Sequence, residues 1–152
     1  MTDAAPEART EEIVVEEVLP HAPEVIWRTL TTADLIERWL MKSTGFAAVK
    51  GTRFTFRAAP AGSWDGVVQC EVLQVVPNRL LSYSWRGGDD NNPGYGSRLN
   101  TIVTWTLDEV AGGTRLRLVH SGFVLPGNAV ALRAMGEGWR KVLGRIADLC
   151  HG

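Results

Sequence analysis

The stretch "GGTRLRLVHSGF", residues 112–123, decides the fold of this chain. Leu116 and Leu118 alternate with arginines, so one face of the segment is apolar and the other is charged. A period of two is typical of a strand with one buried and one solvated face. His120 comes next on the apolar face, where the pattern asks for another leucine. Its imidazole is therefore the first candidate for a functional group.

Alternating segments also lie upstream of this stretch. They predict strands at 12–19, 52–58, 67–76, 79–85 and 99–107, with a last strand at 114–120. The alternation within 67–76 changes phase near Leu73, which predicts a β-bulge there. The polar segment 87–97, "GGDDNNPGYGS", is predicted to be a long loop.

Three segments have the spacing of amphipathic helices. Short helices are predicted over 23–30, with Pro23 in the first turn, and over 33–40. A long helix is predicted over residues 128–150. Its apolar stripe recurs at steps of four and three, at Met135, Trp139, Val142, Ile146 and Leu149.

The order of these elements predicts the fold class. One strand precedes two short helices, and about six antiparallel strands then precede the long helix, with no βαβ alternation. Such a chain buries its apolar faces as an α+β fold, in which a curved antiparallel sheet wraps around the C-terminal helix. We expect one domain over residues 11–152 and a disordered tail over residues 1–10.

Composition limits the classes of partner. The net charge is −1, whereas nucleic acids and anionic membranes select a strongly basic face. We therefore expect neither as a partner. No segment has the length and apolarity of a signal peptide or a membrane span, and Cys70 and Cys150 have no ligand-like spacing. We expect a cytoplasmic protein with reduced thiols.

Four segments together resemble a known family. They are "APEVIWRTLTTADLIERWL", "EVLQVVPNRLLSYSW", "GGTRLRLVHSGF" and "GEGWRKVLGRI". In this order they resemble the family named for the activator of the ninety-kilodalton heat-shock chaperone's ATPase, within the START-like, polyketide-cyclase-like superfamily. The resemblance covers roughly residues 12–150. It implies a helix-grip fold, whose cavity between sheet and long helix holds lipids, polyketides or other hydrophobic molecules in the superfamily.

The chain also departs from the family's pattern. The usual "RW" followed by a second tryptophan is here Arg38, Trp39 and Leu40, and "PGNAVALRAMGE" replaces a more polar stretch. We therefore expect part of the cavity wall to differ from that of relatives. The eukaryotic co-chaperone carries a separate N-terminal chaperone-binding domain, for which we expect no room in this chain.

Inward-facing aromatic and apolar side chains are the candidate ligand-binding residues, because small-molecule sites combine such surfaces with a few polar groups. They are Phe54, Phe56, Tyr83, Trp85, Val103, Trp105, Leu118, His120, Met135 and Trp139. Each aromatic residue could instead be ordinary core. His120 could be a polar anchor in the cavity, or a structural imidazole bonded to a backbone carbonyl or to Ser121.

Other features of the sequence leave alternatives open. Gly136 and Gly138 indicate either a close approach of helix to sheet or room for a ligand. The 87–97 loop could be a lid that carries Tyr95, or a plain solvated loop. The charges on the long helix, at Arg133, Arg140, Lys141 and Arg145, are typical of a solvated face.

Three functions follow from these observations. The favoured hypothesis is the binding of a small hydrophobic molecule, without catalysis, cofactor or metal, because no cluster of His and Cys has ligand spacing. An enzyme resembling cyclases would need His120 or Tyr83 as acid or base in a wet pocket. A module that binds a chaperone or another protein would show an exposed apolar patch and a filled core.

Overall fold

The computed structural model describes residues 9–92 and 94–151, and within them a seven-stranded sheet packs against a long C-terminal helix. The strands are β1 (Arg9–Leu19), β2 (Ser43–Thr44), β3 (Arg53–Arg57), β4 (Val67–Val76), β5 (Leu80–Gly87), β6 (Leu99–Val110) and β7 (Gly113–Leu125). The helices are α1 (Pro23–Thr31), α2 (Ala33–Trp39) and α3 (Ala129–His151).

The sheet is antiparallel throughout, in the order β1-β7-β6-β5-β4-β3-β2. Strands β2 to β7 follow one another as neighbours, and β1 returns to pair with β7 along its whole length. Helices α1 and α2 carry the chain from β1 to the opposite edge of the sheet. The predicted α+β class, with a curved antiparallel sheet and a long C-terminal helix, is confirmed.

Two bulges adjust the sheet. The pairing of β4 with β5 shifts register between Val72 and Gln74, which confirms the predicted bulge at Leu73. A second shift leaves Gly122 unpaired in β7, and its φ of 99° suits a glycine. Strand β7 continues to Leu125, whereas the predicted strand ended at residue 120, so the predicted end is wrong. The long partner β1 supplies hydrogen bonds that keep this segment extended.

Helix α3 lies against the inward face of β5, β6 and β7. The ring of Trp139 has its centroid 5.7 Å from that of Trp85 and 5.8 Å from those of Trp105 and His120. Inward-facing side chains on the three strands are buried, as the alternation predicts. The core of the protein thus lies between the sheet and α3.

The first strand begins closer to the N-terminus than expected. Strand β1 begins at Arg9, inside the stretch expected to be disordered, and residues 1–8 lie outside the described part of the chain. None of the helices in the described residues has the length and apolarity needed to cross a membrane.

Candidate functional site

His120 is held by two side chains inside the core. The indole N–H of Trp139 donates to its Nδ1 at 3.0 Å. The hydroxyl of Thr101 donates to the carbonyl oxygen of Trp85 at 2.8 Å, so its oxygen accepts the proton that Nε2 presents at 2.7 Å. These contacts assign the Nε2–H tautomer, and both ring nitrogens are occupied by the protein.

The protonation state of His120 follows from its burial. Desolvation lowers the pKa of the imidazole from 6.5 to about 3, so the ring is neutral at physiological pH. Its partners are Thr101 and Trp139, rather than a backbone carbonyl or Ser121. The arrangement is that of a structural imidazole, and it is dry, whereas acid–base chemistry would need a ring nitrogen that can reach a ligand.

Tyr83 is the other group considered for acid–base chemistry. Its hydroxyl oxygen accepts the indole N–H of Trp105 at 3.1 Å, and the rings of Phe54 and Phe56 pack around it. Burial raises the pKa of the phenol well above its usual 10. Tyr83 is therefore protonated at all physiological pH values and enclosed by the core.

Ten residues were expected to line a ligand site, and the structure divides them into two groups. Seven are buried in the packed core and line neither of the two apolar clefts described below: Phe54, Phe56, Tyr83, Val103, Trp105, Leu118 and His120. A ligand would reach them only if the core opened, and their contact with one stays a prediction. The other three, Trp85, Met135 and Trp139, reach the clefts.

The two apolar clefts lie where the N-terminal half of α3 meets the ends of β4 and β5. The inner cleft has a volume of about 50 Å³, and its walls include Trp64, Val68, Trp85, Tyr95, Leu99, Ala131 and Met135. The outer cleft has a volume of about 260 Å³, and its walls include Leu40, Met41, Trp85, Tyr95, Gly138, Trp139, Lys141 and Arg145. They share Met41, Ala58, Trp85, Tyr95 and Met135.

Met135 is the most flexible of the five residues that line both clefts. The inner cleft holds no more than one or two waters, since a water occupies about 30 Å³ in the liquid. Joined to the outer cleft, it would reach roughly 300 Å³, the lower end of ligand pockets in proteins. An unbranched thioether side chain with three rotatable bonds can move to join them.

Tyr95 forms the loop side of both clefts. It lies on the loop between β5 and β6, residues 88–98, with 53% of its surface exposed and its ring 6.3 Å from that of Trp64. Two buried asparagines anchor this loop. Asn92 donates to the carbonyl oxygens of Ala61 and Gly96 and accepts from the backbone N–H of Ser63.

The second anchor, Asn128, precedes the first turn of α3. Its amide group donates to the Ser97 hydroxyl at 3.1 Å and to the carbonyl oxygen of Arg98 at 2.9 Å. Its carbonyl oxygen accepts the backbone N–H of Val124 at 2.9 Å. The loop is thus tied on both sides of Tyr95. A lid function for the loop stays a prediction.

The glycines of α3 provide space rather than close contact. A Cβ added at Gly136 or at Gly138 would meet no heavy atom within 4 Å, so the interpretation as a close approach of helix to sheet is wrong. Gly138 lines the outer cleft, as the alternative interpretation expects, and Gly136 lines neither cleft.

Several residues at the clefts escaped the sequence analysis. Lys141 and Arg145 are exposed, as expected for a solvated face, but their place in the wall of the outer cleft was not predicted. The sequence contains a pattern that could have identified them, because Gly138, Lys141 and Arg145 form a stripe beside the apolar stripe of α3. Met41 and Trp64 lie in segments without periodicity, so no pattern could identify them.

A larger groove of about 550 Å³ lies on the outward face of the sheet, with polar walls. Arg86 Nε donates to Asn100 Oδ1 at 3.1 Å, and Arg98 Nε donates to Asp90 Oδ1 at 2.8 Å. These polar side chains satisfy each other's hydrogen-bonding groups on an open surface. The walls of the groove are more polar than apolar, whereas those of both clefts are mostly apolar, and we therefore place the candidate site at the inner and outer clefts.

Metal-binding and thiol chemistry have no support in the described residues. No group of three or more His, Cys, Asp or Glu side chains among them is placed to hold a metal ion. Cys70 and Cys150 are free thiols, and burial raises the pKa of Cys70 to about 12, which leaves it protonated and unreactive.

Comparisons with known proteins agree with this architecture. Residues 20–151 match the family model described as Activator of Hsp90 ATPase homolog 1-like protein, and no curated protein matches the chain. The solved structure of protein MLL2253 from Mesorhizobium loti is 38% identical, with a TM-score of 0.79, and the match covers 91% of this chain and 96% of that one.

Two more distant structures share the fold. The Aha1 dimer from Colwellia psychrerythraea is 22% identical, with a TM-score of 0.68 and coverage of 91% of this chain and 94% of that one. DynU16, from the dynemicin biosynthetic locus, is 24% identical, with a TM-score of 0.69 and coverage of 90% of this chain and 46% of that one. Since the family model spans nearly the whole described chain, the chain belongs to the family of Activator of Hsp90 ATPase homolog 1-like proteins.

Proposed function

We propose that this protein binds a small hydrophobic molecule between α3 and the sheet, at the inner and outer clefts. The observation that carries the proposal is the pair of adjacent apolar clefts, which share five lining residues that include the flexible Met135. Trp85 and Tyr95 line both clefts, and Trp139 lines the outer one. The ligand would displace Met135 and occupy both clefts.

Burial of apolar surface would supply the binding energy. Each Å² of ligand surface removed from water contributes about 25 cal/mol, before the cost of ordering the ligand and the loop. Aromatic rings at Trp85, Trp139 and Tyr95 favour a flat or chain-like ligand that can stack on them. DynU16, a protein of the same fold, comes from a biosynthetic locus, which is consistent with a ligand of small-molecule metabolism.

The test is an amide-shift NMR titration of the labelled protein with flavonoids, fatty acids and small aromatic polyketides. We expect saturable shifts at residues 40–41, 58, 85, 94–99 and 131–142. Shifts confined to the polar groove around Arg86 would place the site elsewhere. A folded protein that shows no shifts with any member of the panel would contradict the proposal.

A matched pair of variants localises the binding. Gly138→Leu places a side chain in the outer cleft, whereas Gly144→Leu makes the same change at an exposed helical position that lines neither cleft. We expect Gly138→Leu to weaken binding of any ligand found in the titration by roughly tenfold, which is the effect of losing about 1.4 kcal/mol. Equal affinities in the two variants would contradict the proposed site.

A protein-interaction role is the second candidate, because the core behind the clefts is filled and the outward face of the sheet carries exposed apolar side chains. Val14, Ile102 and Val124 are 43%, 41% and 45% exposed. A relative of the same fold is described as a dimer. Sedimentation equilibrium tests self-association, and a monomer at several hundred micromolar would contradict it. A chaperone partner stays a prediction.

A further inference from the structure

The charged side chains at the outer cleft are all cationic. Lys141 and Arg145 line it, and no aspartate or glutamate is among its described lining residues. Within the part of the chain that the structure describes, neither cation lies within 4.0 Å of a carboxylate oxygen. The outer cleft therefore combines an apolar floor with two positive charges that have no ion-pair partner among the described residues.

The position of the two cations relative to the apolar floor sets the shape of a matching ligand. Gly138, Lys141 and Arg145 recur at steps of three and four and form one stripe along α3. An α-helix rises about 1.5 Å per residue. Along the helix axis, Lys141 therefore lies roughly 9 Å from Met135 and Arg145 roughly 15 Å from it. Gly138 leaves the space between Met135 and Lys141 open.

We propose that the ligand is an anionic amphiphile. Its apolar body, about 10 Å long by the same helical rise, lies on Trp85 and Met135. Its carboxylate, sulfonate or phosphate head lies at Lys141 and Arg145. Arg145 can donate two parallel hydrogen bonds to such a group, and Lys141 adds a mobile point charge. This inference rests on the proposed function, because it names the ligand class of the same site.

The test uses two fluorescent probes that differ by one anionic group. 8-Anilinonaphthalene-1-sulfonate and N-phenyl-1-naphthylamine have the same ring system, with and without a sulfonate. Their dissociation constants are measured by fluorescence titration at low salt. The ratio of the two constants is then compared between variants, so that intrinsic differences between the probes cancel.

Two double variants carry the same change of net charge on the same helix. Lys141→Gln/Arg145→Gln removes the cations at the cleft, and Arg133→Gln/Arg140→Gln removes two exposed cations that line neither cleft. We expect the first to reduce the preference for the sulfonate about fivefold, as two exposed ion pairs would. The second should leave the preference unchanged, and added salt should reduce the preference of the unaltered protein.

The outcomes separate this inference from the proposed function. If Gly138→Leu weakens both probes but Lys141→Gln/Arg145→Gln leaves the ratio unchanged, the anion assignment is wrong and the apolar site stands. An equal loss of preference in both double variants also overturns the assignment, because net charge alone would then explain it. If Gly138→Leu and Gly144→Leu bind both probes equally, the proposed site itself fails, and the anion assignment with it.

Discussion

At the scale of single residues, two polar side chains of the core each accept a hydrogen bond from a tryptophan. Trp139 donates to His120, and Trp105 donates to Tyr83. Both pairs are almost completely buried. A buried acceptor that loses its donor stays desolvated without a partner. The stability lost when such a bond is broken is therefore larger than the net stability that the bond contributes when it forms.

Replacement of Trp139 by phenylalanine tests the pair with His120. Phenylalanine keeps an aromatic ring but is smaller than the indole and has no N–H, so Nδ1 of His120 loses its donor. We expect the free energy of unfolding to fall by about 1–3 kcal/mol from the lost bond, in addition to the cost of the space left in the core. Trp27→Phe is the control, because Trp27 is only partly buried and its indole makes no hydrogen bond within the described residues. Urea denaturation measures both, and equal losses would contradict the importance of the bond.

At the scale of elements, α3 combines an apolar stripe for the core with glycines that leave space. Gly136, Gly138 and Gly144 have no heavy atom within 4 Å of an added Cβ. Each glycine in a helix interior costs about 1 kcal/mol relative to alanine. These glycines therefore make the helix less stable than alanines at the same positions would. At Gly138 the loss of stability is accompanied by an open cleft.

Alanine at Gly136 or Gly144 should therefore stabilise the protein. We expect about 0.5–1 kcal/mol for each, since the helix gains propensity and no contact is lost. For a chain of this size, this corresponds to roughly 1–4 °C in the melting temperature. Differential scanning calorimetry measures the shift.

Gly113→Ala provides the contrast for these substitutions. Gly113 has a φ of 144°, and its added Cβ would collide with the carbonyl oxygen of Leu19. We expect a lower melting temperature for this variant. If all three alanines had the same effect, the local space around each glycine would not be the cause.

At the scale of the whole molecule, buried titratable groups define the range of pH over which the fold is most stable. Burial lowers the pKa of His120 from 6.5 to about 3 and raises that of Cys70 from 9.0 to about 12. Below pH 6.5 the unfolded chain takes up a proton at His120 that the folded chain does not. Above pH 9 the unfolded chain releases a proton at Cys70 that the folded chain keeps.

Stability should therefore be greatest between about pH 6.5 and 9 and fall on both sides, by up to about 1.4 kcal/mol per pH unit for each group. Chemical denaturation from pH 4.5 to 10 measures this profile. His120→Gln should be less stable at neutral pH but should flatten the acidic side, and Cys70→Ala should flatten the alkaline side. An acidic slope that is the same with and without His120 would show that other groups control it.

The sequence by itself determined the three helices, every strand except the two-residue β2, and their inward faces. Strand β4 was predicted with both its ends and its bulge at Leu73, and the inward positions of Tyr83, Trp105 and His120 followed from alternation, because a period of two or 3.6 is a local property. The fold and the family could therefore be predicted before any coordinates. The end of β7 could not, since beyond Ser121 the strand pairs with β1 alone.

The tertiary structure alone decided which of the inward residues could meet a ligand. Alternation says that a side chain faces the core, but it does not say whether the space there is filled. The two ring nitrogens of His120 are hydrogen-bonded by Thr101 and Trp139, which are both distant from it in sequence. Met41, Tyr95 and Arg145 come from three separate segments and line one cleft. Contacts between residues far apart in sequence are set by how sheet, loop and helix pack together, and periodicity within one segment carries no information about them.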